Sequence, residues 1–314
     1  MRYFNTRDLA KIFGYNDDSY IRRLISQGRI KAKKNGREWL VSEEDASNYR
    51  TRNAIKNSFK KLISLNYELK LIVDKYLQNQ ITISGPKDSL TSVTLTKAYK
   101  THSAIILLCQ EGYGEDASVL NRTMFELLIT ILYILKDPTD ERAYRYYSYD
   151  WVLRKKMLRY AEQRPELIIQ LENRITNLKV DDVSIEEVNR KAKQVQEKFK
   201  YKNNRWSDRT LADMSKEVDK ENHYQTMYRL ASQYTHSLPR VINDYVKFTD
   251  DGYINFSGIS ENWVEEDLIM AFDFFSSIFA AACDQYGWAA EKELKLLFDR
   301  FFETMKKINK DVIK

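Results

Sequence analysis

The sequence predicts a mainly α-helical protein in which a small basic module precedes a larger α-helical bundle. Only 9 glycines and 4 prolines occur in 314 residues, about 4% of the chain against about 12% in average usage. Folds rich in β-structure need many more of both residues for their tight turns. After residue 52, apolar residues recur at helical spacing through most of the chain, which favours a helical body.

Positive charge is concentrated at the start of the chain. Residues 1–52 contain 12 Lys or Arg and 7 Asp or Glu, whereas the remaining residues hold 39 basic and 38 acidic side chains. A cationic module gains affinity for nucleic acid, because each phosphate contact releases counterions. An ordinary solvated surface has a similar composition, so charge alone leaves both interpretations open.

The first half of this module predicts two short helices. Thr6 is a suitable cap for the first helix, which Gly14 ends. Asp17 or Asp18 is a suitable cap for the second helix, which Gly28 ends. The pair has the layout of a helix-turn-helix.

The second half of the module predicts a β-hairpin. The apolar period changes from 3.6 to 2 at Ile30, and the Asn35-Gly36 dipeptide is a strong signal for a two-residue turn. Ser42, followed by three acidic residues, then begins a third helix. These signals place residues 1–52 in one small domain and residues 53–314 in a helical bundle.

The stretch FNTRDLAKIFGYNDDSYIRRLISQGRIKAKKNGREWLVSEEDASNYR resembles the winged helix-turn-helix of excisionases and MerR-type regulators. The resemblance covers residues 3–50 and rests on the short first helix, the segment SYIRRLISQG, the basic hairpin and the segment SEED. It implies that the second helix enters the major groove of DNA while the hairpin wing contacts the adjoining backbone or minor groove. The residues that it assigns to DNA contacts are Ser19, Tyr20, Arg22 and Arg23 on the second helix, and Lys31, Lys33, Lys34 and Arg37 on the wing.

Two features of the second helix limit this assignment. Arg22 and Arg23 are adjacent, so they point about 100° apart, and one of them can pair with an aspartate instead of reaching DNA. Asp17 and Asp18 place negative charge at the start of the helix, where a phosphate would otherwise bind. The sequence specificity of the module therefore stays open.

A long amphipathic helix, about residues 45–79, is predicted to connect the module to the body, because no glycine or proline interrupts it. It serves either as a dimer interface or as the first helix of the body. Two strongly apolar helices follow and meet at Gly112-Tyr113-Gly114. The second of them carries Arg122 and Glu126 one turn apart. These two residues either form part of a functional pocket with Ser232 or form a buried ion pair.

The segments GYGEDASVLNRTMFELLI, RYYSYD and YRLASQYTHS resemble an uncharacterised all-helical bacterial family, a domain of unknown function, over roughly residues 60–290. The helices and the terminal histidine also resemble HEPN domains, whose ribonucleases use an arginine and a histidine separated by four to six residues. That resemblance assigns a catalytic pair to Arg229 and His236. Leu230 departs from the pattern, because active members carry a polar residue there, and a polar stripe on a helix is also simply its solvated face.

The chain contains no phosphate-binding loop, metal-ligand cluster or nucleophile elbow, so we expect neither a cofactor nor a metal. Cys109 and Cys283 lie in apolar runs, which indicates buried thiols in a reducing compartment. The apolar stretch 127–135 is too short to span a bilayer, so we expect a cytoplasmic protein without a membrane partner.

The sequence as a whole predicts a DNA-binding regulator whose helical body oligomerises or senses a ligand or partner. Its expected partners are double-stranded DNA and a second copy of the chain, with RNA or another protein as a further possibility. The alternative is a HEPN-like ribonuclease, a phage-defence or toxin effector that uses Arg229 and His236. A structural accessory of recombination or phage defence, which binds DNA without sensing or catalysis, is the third interpretation.

Overall fold

The computed structural model describes residues 2–78, 81–164, 184–236, 238–249 and 251–312. Helices dominate these residues, which confirms the mainly α fold. The elements in chain order are β1 (Tyr3–Asn5), α1 (Thr6–Ile12), α2 (Ser19–Ser26), β2 (Lys33–Asn35), β3 (Glu38–Ser42), α3 (Glu43–Ser58), α4 (Lys60–Leu77), α5 (Pro86–Glu111), α6 (Gly114–Leu135), α7 (Glu141–Glu162), α8 (Ile185–Phe199), α9 (Leu211–Glu217), α10 (Glu221–His223), a π-helical turn (Tyr224–Tyr228), α11 (Arg229–Thr235), a 3-10 turn (Pro239–Val241), α12 (Ile242–Tyr245), β4 (Val246–Thr249), β5 (Gly252–Asn255), α13 (Val264–Tyr286) and α14 (Glu291–Val312).

The chain divides into two units, each built from separate stretches of sequence. The first comprises residues 1–80, 95–128 and 223–314. The second comprises residues 81–94 and 129–222.

Within the first unit, the N-terminal residues form a small hydrophobic core of their own. Strands β1, β3 and β2 lie in that order in an antiparallel sheet, and α1, α2 and α3 pack with it. The buried residues of this core are Leu9, Ala10, Ile21, Leu24, Ile30, Val41, Ala46 and Tyr49.

The first helix begins one residue earlier than the sequence indicated. The side chain of Asn5, not Thr6, caps α1 by accepting a hydrogen bond from the amide of Asp8 at 2.8 Å. Thr6 is buried and donates its hydroxyl hydrogen to Asp18, which fixes the start of α1 against the start of α2. Ser42 caps α3 as predicted, with its hydroxyl oxygen 3.0 Å from the amide of Asp45.

The predicted connecting helix at about 45–79 consists of two helices. One non-helical residue, Phe59, with φ −100° and ψ 15°, separates α3 from α4. The amide of Phe59 still bonds to the carbonyl of Ile55, and its own carbonyl still accepts from Ile63. The interruption therefore leaves these two helical hydrogen bonds in place.

Helix α13 is the centre of the helical part of the first unit. Phe274 stacks obliquely on Phe125 of α6, Phe279 lies against Tyr76 of α4, and Phe272 stacks on Phe301 of α14 at 4.0 Å. These phenylalanines of α13 are fully or almost fully buried. Burying an aromatic side chain stabilises the fold by about 1.5–3 kcal/mol, so this helix carries much of the core.

The second unit is organised around α7 and α8. Tyr149 of α7 packs with Phe199 and Tyr201 in a buried aromatic cluster. Arg145 donates to the carbonyl of Trp206 at 2.7 Å and forms an ion pair with Asp208 at 2.7 Å. Ser184 caps α8 by accepting from the amide of Glu187, which fits the polar, solvated character of that helix.

Two further features concern the helical body. Strands β4 and β5 form an antiparallel hairpin where no strand was predicted. Helix α6 is long and apolar enough to cross a bilayer by composition, but half of its most apolar stretch is buried in the structure, as in the core helix of a soluble protein. Both cysteines are buried and free, as predicted.

Candidate functional site

The outward surface of α2 is the first candidate site. Ile21 and Leu24 are fully buried in the N-terminal core, and this orients the helix so that Arg22 and Arg23 point into solvent. Ser19 is exposed as well, whereas Tyr20 is half-buried against the same core.

The two aspartates at the start of α2 are both engaged locally. Asp17 accepts a hydrogen bond from the amide of Ser19 at 2.7 Å. Asp18 accepts from Thr6 and forms an ion pair with Arg22 at 3.0 Å. The hydrogen bond from Thr6, followed by the one from Arg22, lowers the pKa of Asp18. Arg22 is therefore the arginine held by an aspartate, while Arg23 lies over the ring of Tyr20 at 5.0 Å.

The β2–β3 hairpin provides the rest of this surface. The turn lies one residue later than the predicted Asn35-Gly36, because Asn35 belongs to β2 and pairs with Glu38. Gly36 and Arg37 form the two-residue loop, and Gly36 has the positive φ of +57° that such a turn requires at its first position. Lys34 lies over the ring of Trp39 at 5.6 Å. Lys31, Lys33, Lys34 and Arg37 are all exposed.

This surface carries positive charge that the described part of the chain does not neutralise. Five of its cations form no ion pair with any carboxylate among the described residues. These five are Arg23, Lys31, Lys33, Lys34 and Arg37.

A second candidate site lies in the helical part of the first unit, around Arg122. Met124 and Phe125 of α6 are fully buried, and Arg122 and Glu126 share the half-buried side of the helix. The guanidinium Nε of Arg122 is 3.3 Å from Oε1 of Glu126, and the Arg122 side chain is 19% exposed. The Glu126 side chain is 45% exposed, so the ion pair is only partly buried.

Tyr228, the last residue of the π-helical turn, completes this ion pair. Its hydroxyl donates to Glu126 at 3.0 Å and accepts from Nε and Nη2 of Arg122 at 3.3 Å each. Burial is the main cause that raises the pKa of Tyr228, so the hydroxyl keeps its proton at neutral pH. Tyr224 stacks on the same ring with a centroid separation of 5.0 Å.

His236 reaches the same cluster from the end of α11. Its Nε2 is 3.1 Å from Nη1 of Arg122. A guanidinium can only donate, so Nε2 of His236 is the acceptor and the ring proton sits on Nδ1. The His236 side chain is otherwise exposed and can meet a ligand from solvent.

The structure thus brings together three of the predicted residues, Arg122, Glu126 and His236. Ser232 contributes its backbone carbonyl, which accepts from the amide of His236 at 3.2 Å. Arg229 lies apart: it donates to Gln225 at 3.1 Å and lines a separate cavity. Helix α11 ends at Thr235, and His236 is its C-cap, with φ −105° and ψ 8°. The His236 side chain contacts Arg122, whereas the Arg229 side chain contacts Gln225.

The sequence interpretation missed Asp267, a buried carboxylic acid. Asp267, on the first turn of α13, is fully buried and accepts from the hydroxyl of Ser118 at 2.6 Å and from the amide of Asn121 at 2.7 Å. Desolvation raises its pKa to about 8. It lies on the apolar spacing Val264, Asp267, Ala271, and that position in the stripe was the available signal.

A second buried polar contact lies one residue further along α13. The amide nitrogen of Asn66 donates to the carbonyls of Leu62 and Leu268, at 2.9 and 3.1 Å. This fixes Oδ1 of Asn66 as the acceptor for Nε2 of His102, at 2.9 Å. Burial lowers the pKa of His102 to about 3, so its ring is neutral. These contacts fix the register of α4, α5 and α6 on α13.

Among the described residues, no three His, Cys, Asp or Glu side chains lie close enough together to hold a metal ion. No curated protein and no solved structure matches the chain. Residues 88–254 match the model of a family of unknown function, DUF5677. The match includes Arg122, Glu126, Ser232 and His236. A family of unknown function was expected over residues 60–290, and the match covers the narrower range 88–254. Because the matched residues make up more than half of the sequence, the chain belongs to the DUF5677 family.

Proposed function

We propose that the protein is a DNA-binding regulator that holds duplex DNA against α2 and the β2–β3 hairpin. The observation that supports this proposal most is the group of five exposed cations without a carboxylate partner among the described residues. Exposed cations without carboxylate partners are available to contact DNA phosphates, and here they lie on a module that has its own hydrophobic core.

The geometry of the module divides the contacts between its two elements. Helix α2 is eight residues long and anchored by Ile21 and Leu24, so its outer side chains have fixed positions for a groove. Arg23 is the stronger candidate for a base contact, because Asp18 holds Arg22. The wing residues Lys33 and Lys34, on opposite faces of the hairpin, suit backbone phosphates.

The helical body has the role of oligomerisation or of sensing a ligand or partner in the cytoplasm. A single small module buries little area on DNA, and two copies on half-sites one helical turn apart raise affinity through effective concentration. The proposal therefore includes a symmetric dimer formed through the body.

The test is a salt titration of DNA binding with two triple variants. Replacing Lys33, Lys34 and Arg37 with alanine should weaken binding to all duplex sequences and flatten the salt slope by up to about one unit per lost phosphate contact. The matched control replaces three exposed lysines of the body, namely Lys97, Lys100 and Lys295, and removes the same charge. The control should bind as the parent does. Equal losses in both variants, or no loss in either, would refute the wing assignment.

One observation favours a second function, the cleavage of RNA. Arg122, Tyr228 and His236 form a contiguous hydrogen-bonded group, which provides a base, an acid and a cation at one place. In such a step Arg122 transfers its hydrogen bond from His236 to the phosphate. The imidazole takes the proton of the ribose 2′-hydroxyl, the 2′-oxygen bonds to phosphorus, and the 5′-oxygen leaves with the proton of the Tyr228 hydroxyl.

Cleavage of structured RNA in the presence of a chelator tests this second function. His236→Ala should lower the rate by about 10² to 10⁴-fold, which is the usual contribution of acid-base catalysis. His223→Ala is the control, because His223 pairs with Asp273 outside the cluster. No cleavage by the parent protein, or equal rates for parent and His236→Ala, would exclude the function.

A further inference from the structure

An open cavity of about 490 Å³ lies between α11 with its preceding π-helical turn and the first turns of α13. This size is in the range of small-molecule sites, about 300–1,000 Å³. All of its lining residues belong to the first unit of the chain. The π-helical turn contributes Met227 to the lining, and such turns occur often at functional sites.

The wall of the cavity is apolar. Its apolar lining residues are Met227, Leu230, Trp263, Ile269 and Met270. Trp263 has a left-handed backbone with φ 63°, which is uncommon for a bulky residue, and its ring meets Tyr234 edge-on at 5.0 Å. The Trp263 side chain is half-buried and lines the cavity. An apolar body is the part of a ligand that fits this wall.

The polar lining of the same cavity carries one charge of each sign. Arg229 and Glu266 are both exposed and both line it, and neither forms an ion pair with any described residue. Gln225 accepts a hydrogen bond from Arg229 at 3.1 Å and so orients the guanidinium. Gln233 adds an uncharged amide to the lining.

These charges select the chemical class of the ligand. A simple anion would be attracted by Arg229 but repelled by Glu266, and a simple cation would meet the opposite conflict. A neutral apolar molecule would cover both charges without pairing them, which costs free energy. A zwitterion with an apolar side chain satisfies all three parts of the cavity.

We propose that this cavity binds a free α-amino acid with a large apolar side chain. Its carboxylate pairs with Arg229, its ammonium with Glu266, and its side chain packs among Trp263, Met227 and Met270. This site is separate from the cationic surface of α2 and the hairpin, and its binding does not depend on DNA.

Titration calorimetry of the full chain, without DNA, tests the proposal with three matched compounds. These are L-phenylalanine, 3-phenylpropionate, which lacks the ammonium, and phenethylamine, which lacks the carboxylate. L-Phenylalanine should bind with a Kd of millimolar or better, and each analogue should bind at least about ten-fold more weakly, as the loss of a charged hydrogen bond predicts. Trp263 fluorescence, assigned through Trp263→Phe, should change on binding.

Two variants identify which charge pairs with which group. Arg229→Gln should weaken the binding of L-phenylalanine and leave phenethylamine unaffected, and Glu266→Gln should weaken L-phenylalanine and leave 3-phenylpropionate unaffected. Both replaced side chains are exposed, and an unchanged unfolding midpoint verifies that each variant folds. Binding of 3-phenylpropionate or phenethylamine as tight as that of L-phenylalanine would overturn the proposal. The absence of saturable binding by L-phenylalanine, L-leucine and L-methionine would overturn it as well.

Discussion

Replacing Asp267 with asparagine should make the protein more stable above neutral pH. The folded state keeps this carboxyl protonated up to a pKa of about 8, against 3.8 for the unperturbed group. The folded chain therefore binds one more proton than the unfolded chain between these values. Stability falls as pH rises through this window, by about 1.4 kcal/mol per pH unit.

The interval from pH 6.5 to 8 separates this effect from that of His102, which is also buried. The pKa of His102 is lowered from 6.5 to about 3, so this imidazole changes stability mainly below pH 6.5 and does so equally in parent and variant. Over the remaining 1.5 units, the Asp267 carboxyl should remove about 2 kcal/mol of unfolding free energy. Asparagine has the shape of the neutral acid and can accept from Asn121 while donating to Ser118, so at pH 6.5 the variant should match the parent within about 1 kcal/mol.

Urea unfolding at pH 6.5 and pH 8, followed by tryptophan fluorescence, measures the difference. The advantage of Asp267→Asn should grow by about 2 kcal/mol between the two pH values. Asp284→Asn, an exposed position on the same helix, is the control and should show no such change. A constant difference between parent and Asp267→Asn would show that Asp267 is already ionised at pH 6.5, and the argument from desolvation would be wrong.

Three further predictions concern the fold and the assembly. The parent should lose stability as pH falls from 6.5 towards 3, because unfolding exposes the buried imidazole of His102 to protonation. His102→Gln keeps a hydrogen-bond donor for Asn66. In urea unfolding, this variant should lose less stability than the parent over the same pH range. Gly114→Ala should lower the unfolding free energy by more than about 2 kcal/mol, because the added methyl group would collide with the backbone carbonyl of Asn262. The control is Gly258→Ala, whose methyl group would have no atom within 4 Å. This control should change the unfolding free energy by less than about 0.5 kcal/mol in the same measurement. Light scattering at micromolar concentration should give the mass of a dimer, with and without DNA, and a monomer mass under both conditions would contradict the proposed assembly.

Local sequence signals located elements that begin at a cap or a turn. Ser42 begins α3 as predicted, and the predicted hairpin forms, although its loop is Gly36-Arg37 instead of Asn35-Gly36. Adjacent candidates were less well resolved, since Asn5 and Thr6 are both good caps. Asn5 is the cap in the structure, because the Thr6 hydroxyl donates its hydrogen bond to Asp18, twelve residues later in the chain.

Long-range partners were not predictable from one sequence. Asp267 lies in the acidic first turn of α13, where carboxylates ordinarily stabilise the helix end from solvent. Its burial depends on Ser118 and Asn121, almost 150 residues earlier, and nothing in the local pattern specifies that contact. Similarly, Phe59 interrupts the connecting helix without the glycine or proline that usually signals a break.

The contacts of Arg229 and His236 were likewise not predictable from the sequence. Helical spacing assigned Arg229 and His236 to one stripe, and that assignment assumes uniform α geometry over the whole segment. A π-helical turn at Tyr224–Tyr228 precedes the segment, and α11 ends at Thr235, directly before the histidine. Tyr228 and His236 contact Arg122, while the side chain next to Tyr228, that of Arg229, lines the apolar cavity. One short segment therefore supplies two chemically different sites, an acid-base group and a cation at the edge of an apolar wall, and substitutions at Arg229 and His236 should have independent effects.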